Sequence, residues 1–360
     1  MLRRVLSQAA SGFDRAVSAT LLARSKRARA SSRAESLGHE ERMRALAAIR
    51  AIYDDPSYYR DPDSFFAPPP RAEGRFVSVR RLAIKAGSDR GVGEVLDATW
   101  ASPLAPHDDA ISGRYLAHAE NQTGAARLFL GPGAERPAVI LIHGYRGGQL
   151  AIEERVWPIP WLLERGLDVA LAVLPFHGVR ARRGPPLFPS SDPRFTIESF
   201  RHTIHDLRVL TRILRDRGAP TVGVMGMSLG GYAASLLATV VDDLAFAVPF
   251  IPLASIADFA RDGGRLVGSE EDQRLQHEAL DDAHRVVSPF ARPPRLAPDR
   301  VLVIAGDGDR ITPIAHARRL TDHFRAPLET FAGGHILQFG RAEAFRAAGR
   351  MLGRLNLLRA

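Results

Sequence analysis

A single serine lies between glycines directly after a run of apolar residues, in the stretch "TVGVMGMSLGGYA" at 221–233. Gly226, Ser228 and Gly230 fit the pattern G-x-S-x-G, in which a sharp strand-to-helix turn exposes a nucleophilic serine. A pattern this short also occurs by chance, and a structural turn is the alternative interpretation. The role of Ser228 therefore depends on the reactive groups that lie near it.

Ser228 needs two partners, because a neutral hydroxyl is a poor nucleophile: a general base, and a carboxylate that orients this base. In an open α/β sheet, ligands bind at the carboxyl ends of the strands. Polar residues do follow apolar strands here: "HGYRGG" comes after a strand ending at Ile142, "DGDR" after one ending at Ala305, and His335 after "LETFAGG". The sequence therefore predicts that these groups meet at one edge of the sheet.

The order of these groups along the chain is Ser228, then an aspartate, then His335. Together with the glycine-flanked serine, this order resembles that of the α/β-hydrolase superfamily. The resemblance covers residues from about 74 to 358 and extends to serine esterases and to the dienelactone-hydrolase-like and peptidase-like branches. It implies an α/β fold with a mostly parallel, doubly wound sheet.

The same resemblance implies which residues complete the triad. In related hydrolases the strand before the acid ends in a pattern like G-x-x-D-x-[IV]-x-P. Aligning it with residues 306–313 places Asp309, rather than Asp307, at the acid position. His335, in "GGHI", lies where such a fold has its base, after the last strand and before the last helix. The implied catalytic residues are therefore Ser228, Asp309 and His335.

The motif "HGYRGG" at 143–148 resembles the H-G-x oxyanion loop of these enzymes. The resemblance implies that the backbone N–H groups of Tyr145 and Leu229 stabilise the tetrahedral oxyanion. Gly144 in this loop, and Gly226 and Gly230 at the serine, would allow the backbone to approach closely where a side chain would collide.

Four further polar residues lie in or near these loops. We expect His143 to brace the oxyanion loop, and Arg146 to form a salt bridge rather than to bind an anionic substrate. His177 and Arg180 follow the next strand and could border the active-site cleft, although a role in loop structure is favoured over a second catalytic histidine.

The elements that would position these residues are predicted from apolar patterning. From about residue 137, continuously apolar strands alternate with helices, which is typical of a parallel sheet covered on both faces. Residues 74–130 alternate apolar and polar residues and predict an antiparallel meander of two or three strands. Residues 256–298, between two core strands, predict a helical lid insertion. The parallel strands are expected in "AVILIHG", "DVALAVLPFHG", "TVGVMGMS", "FAVPFIPLAS" and "RVLVIAGDGD", and the meander in "GRFVSVRRLAIKAG", "GVGEVLDATWASP" and "GRYLAHAENQTGAARLFL".

Residues 1–70 are predicted to form a helical, basic N-terminal extension with a proline-rich linker at 54–70, and residues 71–360 the hydrolase domain. Apolar residues recur at helical spacing in the first segment. Packing of this helix on its own domain or on a partner subunit is the favoured interpretation. A helix lying on an anionic membrane surface, through residues 1–35, is the alternative. The apolar positions are Leu2, Val5, Leu6, Ala9, Phe13, Val17 and Leu21.

Composition excludes several classes of site. The 360 residues carry a net charge of +9, much of it in the first 50 residues, so we do not expect a nucleic-acid-binding face. The chain has no cysteine, which excludes disulfides, thiolate catalysis and cysteine-ligated zinc. No nucleotide-binding glycine motif or metal-ligand spacing is found, so neither a cofactor nor a metal is expected. No apolar run is long enough to cross a bilayer, and a cytoplasmic location, with peripheral contact at the inner membrane face as a variant, is expected.

The hypothesis that these features favour is a serine hydrolase that cleaves a small-molecule carboxylic ester, or a related acyl bond, through an acyl-enzyme on Ser228. Two alternatives stay open. One is a membrane-associated acyltransferase or lipid hydrolase, and the other is a catalytically silent hydrolase-fold binding protein.

Overall fold

The computed structural model describes residues 2–29, 37–86, 89–182, 184 and 187–358. In these ranges nine strands form one sheet, accompanied by α-helices and short 3₁₀ turns. The strands, β1 to β9, are Arg75–Ala86, Asp89–Ala101, Thr123–Leu130, Ala138–Ile142, Asp168–Val173, Val222–Met227, Ala247–Phe250, Val303–Gly306 and Leu328–Phe331. The helices, α1 to α12, are Leu2–Arg29, His39–Tyr53, Ser57–Arg60, Asp109–Leu116, Leu150–Val156, Ile159–Glu164, Pro193–Asp216, Leu229–Val240, Ile256–Asp262, Glu270–Ala283, Ile314–Phe324 and Arg341–Arg354. The 3₁₀ turns are Pro62–Ser64, Ala119–Gln122, Gly178–Arg180, Arg285–Val287, Pro289–Ala291 and Pro298–Arg300.

The sheet has the strand order β1-β2-β3-β5-β4-β6-β7-β8-β9. The six strands from β5 to β9 in this order are parallel, whereas β1, β2 and β3 pair antiparallel to their neighbours. The predicted doubly wound, mostly parallel sheet with an antiparallel N-terminal part is therefore confirmed. The chain leaves β4 toward β5 and returns on the other side of β4 as β6. This reversal opens a crevice at the carboxyl ends of β4 and β6, where ligands bind in such sheets.

Helices cover both faces of the sheet because the central strands are apolar on both sides. All five residues of β4 are buried. Ile140 and Ile142 belong to the apolar cluster that includes α7 and α8, while Val139 and Leu141 belong to the cluster that includes α6 and α12. The alternation of side chains along a strand thus supplies two separate cores from one sequence.

The third strand of the predicted meander was expected to begin near residue 113, and this expectation is wrong. Residues 109–116 form helix α4, and only Thr123–Leu130 is a strand. Asp108 caps this helix by accepting a hydrogen bond from the backbone N–H of Ala110 at 2.9 Å. Ile111 and Tyr115, four residues apart, are both buried, so the apolar spacing here has the helical period.

Residues on both sides of the predicted boundary at residue 70 contribute to one core. Leu46, Ile49 and Tyr53 of α2, and Phe65 from the proline-rich segment, lie in the same buried cluster as β4 and α7. The division of the chain into two units stays a prediction.

Helix α1 packs on the rest of the chain through small and polar residues. Ala10, Ser11 and Asp14 are buried, while the exposed fractions of Leu2 and Phe13 are 72% and 43%. The apolar positions that would have been expected to pack are therefore partly left in solvent. Residues 30–35 of the predicted membrane-contacting segment lie outside the described residues. Among the described helices, none combines the length and the apolar content needed to cross a bilayer.

Candidate active site

Ser228 occupies the turn between β6 and α8 in a strained backbone conformation. Its φ and ψ are 56° and −111°, a region that residues with a side chain rarely adopt. The turn is held by its own backbone: the N–H of Ser228 donates to Phe250 O at 3.0 Å, and its carbonyl accepts from Leu253 N at 3.1 Å. The strain therefore persists because β7 and the segment that follows it hold both the N–H and the carbonyl of Ser228.

The glycines around Ser228 stand where a side chain would meet backbone. A Cβ at Gly226 would lie 1.9 Å from the carbonyl oxygen of Gly230, and one at Gly230 would lie 2.1 Å from Ile142 O. A Cβ at Gly144 would lie 3.3 Å from Cβ of Ser228. The first two positions accept only glycine without a backbone shift, which fixes how tightly β6 turns into α8 against the end of β4.

The structure brings Ser228, His335 and Asp309 into one hydrogen-bonded line. His335 Nε2 is 3.0 Å from Ser228 Oγ, and His335 Nδ1 is 2.8 Å from Asp309 Oδ2. The side chains of His335 and Asp309 are 10% and 1% exposed. With Nδ1–H donated to the carboxylate, Nε2 is left to accept the serine proton, which is the tautomer that a general base requires.

The competing carboxylate, Asp307, lies elsewhere. It pairs with Arg3 of α1 at 2.9 Å between Nε and Oδ2. Asp309, in contrast, accepts two 2.8 Å hydrogen bonds at Oδ1, from the backbone N–H groups of Ile311 and Thr312. The Thr312 hydroxyl is 3.0 Å from both Asp309 Oδ2 and His335 Nδ1. No motif in the sequence marks Thr312, although its place three residues after the carboxylate suits such a turn.

The electrostatic surroundings of His335 favour its charged form. Burial is the largest single effect and lowers the pKa of the ring. The charge of Asp309, its hydrogen bond to Nδ1, and the charge of Asp14 together outweigh burial and raise the pKa of His335 above its ordinary value of 6.5. This bias stabilises the imidazolium that proton transfer from Ser228 would produce.

Asp14 contacts the candidate active site, although it was not predicted from the sequence as a site residue. Its side chain is fully buried against the loop of His335. Its carboxylate accepts hydrogen bonds from the backbone N–H of His335 at 2.7 Å, of Ile336 at 3.1 Å and of Arg310 at 3.2 Å. No local sequence signal marks this contact, since it joins positions at opposite ends of the chain.

The loop after β4 is braced by His143. His143 Nε2 accepts from the backbone N–H of Leu174 at 3.1 Å, so Nδ1 carries the proton and donates to Gly144 O at 2.8 Å. Burial is the main cause that lowers the pKa of His143 to about 4, and the charge of the nearby Arg180 acts in the same direction. The ring is therefore kept neutral. Within the described ranges, the backbone N–H groups of Tyr145 and Leu229 donate no hydrogen bond.

Three other loop residues differ in their surroundings. Arg146 is exposed, and among the described residues it forms no ion pair; its guanidinium carbon is 5.9 Å from the ring centre of Tyr145. The expected salt bridge is therefore not formed in this part of the chain. His177 is buried with its ring 5.0 Å from that of His143, and burial lowers its pKa to about 3. Arg180 does not border a cleft, because it is buried and donates to Asp206 Oδ2 at 2.6 Å.

Known proteins resemble this chain more in structure than in sequence. No family model matches it. Two uncharacterized proteins from strains of Mycobacterium tuberculosis are 29% identical over 301 residues, which are 81% of this chain and 70% of theirs.

Among solved structures, an acetyl xylan esterase from a Paenibacillus species superposes with a TM-score of 0.55 and 15% identity, covering 86% of this chain and 99% of its own. Acetyl xylan esterase 1 from a Thermoanaerobacterium species has a TM-score of 0.50 and 16% identity, covering 87% of this chain and 98% of its own. The chain has the α/β-hydrolase fold.

In this α/β-hydrolase fold, residues 256–298 lie between β7 and β8. They contain α9, α10 and two 3₁₀ turns, and a third 3₁₀ turn begins at residue 298. Asp258 of α9 pairs with Arg319 of α11. Asp282 of α10 pairs with Arg50 of α2 at 2.9 Å. The predicted lid region therefore packs between the core and the N-terminal helix α2.

A cavity of about 870 Å³ lies between α2, the segment 187–195 and the helices of the predicted lid region. None of the residues Ser228, Asp309 and His335 lines it. Two of its walls belong to segments that follow β5 and β7, at the carboxyl edge of the α/β-hydrolase sheet. Its wall includes Leu46, Ile49, Leu187, Phe195, Ile256, Phe259, Leu266 and Leu280 as well as Arg42, Arg114, Asp192, Arg194 and Arg265.

Ser102, His202 and Asp206 form a second Ser–His–Asp cluster, but its geometry differs from that of the triad. Ser102 Oγ is 2.6 Å from His202 Nε2 and donates directly to Asp206 Oδ1 at 2.5 Å. All three residues are buried, and burial lowers the pKa of His202 to about 3. This cluster binds Arg180 in the core and offers no group to a substrate. In the described part of the chain, no three His, Asp or Glu residues are grouped as metal ligands.

Proposed function

We propose that this protein is a serine hydrolase that cleaves a carboxylic ester, or a related acyl bond, through an acyl-enzyme on Ser228. The observation that carries the proposal is the line from Asp309 through His335 to Ser228 Oγ, with contacts of 2.8 and 3.0 Å. Its place at the carboxyl edge of the sheet, on a strained turn, supports the same role. The names of the two acetyl xylan esterases of similar fold favour ester cleavage.

In the proposed first step, His335 Nε2 accepts the hydroxyl proton while Ser228 Oγ attacks the carbonyl carbon of the ester. Asp309 stabilises the resulting imidazolium and keeps the ring oriented. The imidazolium then gives its proton to the leaving alkoxide, and the alcohol departs. A water molecule, deprotonated by His335, attacks the acyl-enzyme, and the proton returns to Ser228 Oγ as the acid is released.

Two backbone N–H groups would stabilise the oxyanion. Leu229 is the first residue of α8, so its N–H lies at the positive end of the helix dipole. Tyr145 lies in the loop that His143 braces. Neither N–H donates elsewhere within the described ranges, which leaves both available to the tetrahedral intermediate.

We further propose that the 870 Å³ cavity receives an organic group of the substrate. The main support is its position, since Ile256 in its wall follows Leu253 by three residues, and the N–H of Leu253 holds the carbonyl of Ser228. Its volume falls in the range of small-molecule sites, and many wall residues are apolar.

Labelling with a fluorophosphonate probe tests the nucleophile. The intact chain is expected to gain one covalent adduct, mapped by peptide mass spectrometry to the peptide that holds Ser228. Ser228→Ala should abolish this adduct, while the control Ser78→Ala, an exposed serine of β1 outside the cavity wall, should label at the wild-type rate. A folded wild-type chain that takes no label would support the alternative, a catalytically silent hydrolase-fold binding protein.

A membrane-associated acyltransferase or lipid hydrolase is the second candidate. The exposed apolar side chains of Leu2, Val5 and Phe13 on α1 favour it. Co-sedimentation with anionic vesicles of the full chain, and of a chain that lacks residues 1–35, tests this contact. Binding that depends on these residues supports it, and equal binding by both chains contradicts it.

A further inference from the structure

We propose that Asp14 is a positioning residue for the catalytic histidine, so that helix α1 is a working part of the active site. The proposal rests on the function proposed above. Asp14 is 0% exposed, and both of its carboxylate oxygens point into the loops of the triad. Oδ2 accepts from the backbone N–H of His335 at 2.7 Å and of Arg310 at 3.2 Å, and Oδ1 accepts from Ile336 N at 3.1 Å.

These three hydrogen bonds connect the loop of the acid to the loop of the base. Arg310 directly follows Asp309, and the other two donors are His335 itself and its neighbour. A carboxylate that accepts several backbone N–H bonds forms charge-assisted bonds, which are stronger than those between neutral groups. Asp14 therefore fixes the distance between the two loops whose side chains must meet at 2.8 Å.

Both loops are shaped to admit the helix. A Cβ at Gly334 would lie 2.5 Å from Asp14 Oδ2, and a Cβ at Gly308 would lie 2.6 Å from the carbonyl oxygen of Ser7. At Gly334 the missing side chain makes room for Asp14, which ties the sequence of this loop to the presence of α1.

Other contacts of α1 hold the helix without touching His335. Ser11 Oγ donates to Gly308 O at 2.9 Å, and Arg3 pairs with Asp307 at 2.9 Å. These residues therefore provide controls that weaken docking of the helix and leave the bonds to His335 in place.

The charge of Asp14 also acts on the imidazole. The charged groups that face this region are Asp309 on the loop after β8, Asp14 on α1, and Arg310, whose guanidinium contacts Ser11 at 3.3 Å. Together with Asp309, Asp14 favours the protonated ring of His335. Loss of the Asp14 charge should therefore lower the pKa of His335 as well as loosen its loop.

The first test compares Asp14→Asn with Ser11→Ala on a soluble p-nitrophenyl ester. Asp14→Asn should lower kcat about tenfold to a hundredfold, as misplacement of a catalytic group does, with little change in KM. It should also move the acidic limb of kcat/KM to lower pH, whereas Ser11→Ala should leave that limb in place. Equal pH profiles for wild type and a folded Asp14→Asn, with an unchanged kcat, would overturn the proposal.

The second test needs neither a variant nor activity. Amide hydrogen exchange in the wild-type chain should show the N–H groups of His335 and Ile336 protected like those of buried α8. Exchange of these two amides at the rate of free loops would overturn the proposal even if an Asp14 variant does not fold. A failure of the proposed function would give a different result, because the wild-type chain would then not be labelled at Ser228 by the fluorophosphonate probe. That result does not depend on the exchange rates of the two amides.

Discussion

Asp14 and His335 are 321 positions apart in the chain, and the carboxylate of the first accepts a 2.7 Å hydrogen bond from the backbone of the second. The first helix and the loop of His335 are thus joined by a direct hydrogen bond. A helix of polar and apolar residues at the start of the sequence resembles a dispensable extension. Here its buried polar side faces the triad, and its removal would leave three backbone N–H groups without their carboxylate.

The first prediction separates the two faces of α1. The triple variant Leu2→Gln, Val5→Gln and Phe13→Gln should keep the wild-type kcat, because these side chains are exposed. Its free energy of unfolding should differ from that of wild type by no more than about 0.5 kcal/mol. Kinetics on a soluble ester and thermal unfolding measure both quantities. A loss of activity as large as that of Asp14→Asn would mean that the apolar face, and not the polar one, docks the helix.

The second prediction distinguishes the two aspartates after β8. Asp309→Asn should lower kcat about 10⁴-fold, because the amide cannot hold the required tautomer of His335 or stabilise its charge. Asp307→Asn should change kcat less than about threefold, since Asp307 pairs with Arg3 at the partly exposed edge and any such pair stabilises weakly. Reversed effects in steady-state kinetics would assign the acid role to Asp307.

The third prediction concerns pH. In the proposed mechanism His335 acts as a base only when neutral, and its surroundings raise its pKa above 6.5. The value of kcat/KM should therefore increase with pH, with a midpoint above 6.5, because below that midpoint the ring is already protonated. A midpoint clearly below 6.5 in the wild-type profile would show that burial, rather than the two carboxylates, dominates the electrostatics of His335.

The fourth prediction tests the cavity. Ala45 is exposed on α2 and lines the cavity, so Ala45→Phe should fill part of it and leave the fold intact. KM for esters with a bulky acyl group should increase about tenfold, while acetate esters should be little affected. Ala47→Phe, an exposed position of the same helix outside the cavity wall, is the matched control. Equal kinetics of both variants on all esters would exclude the cavity from substrate binding.

Much of the fold could be predicted from the sequence because its signals are local. The runs around Ile140 and Val224 are apolar without interruption, which is typical of strands covered on both faces, and glycine spacing marked the turn at Ser228. The prediction was wrong at residues 113–118, where alternating polarity favoured a strand. There the cap at Asp108 and the burial of Ile111 and Tyr115 stabilise a helix instead.

The parts of the site that escaped prediction are those made by distant contacts. The roles proposed for Asp309 and His335 follow from motifs that come directly after strands. Asp14 has no such motif, because its partners are backbone N–H groups that every sequence has, and only tertiary packing brings them to it. Arg180 shows the same limit, since its loop position was compatible with the border of a cleft as well as with the favoured role in loop structure, and its charge is paired with Asp206 in the core.

The central claim is that Ser228 is the nucleophile, and one measurement tests it most directly. Hydrolysis of a chain-length panel of p-nitrophenyl esters should be compared for wild type and for Ser228→Ala, after near-UV circular dichroism has shown that the variant is folded. We predict that kcat decreases at least about 10⁴-fold for every ester that the wild type cleaves. Hydrolysis by the folded Ser228→Ala variant at a rate comparable to that of wild type would contradict the account.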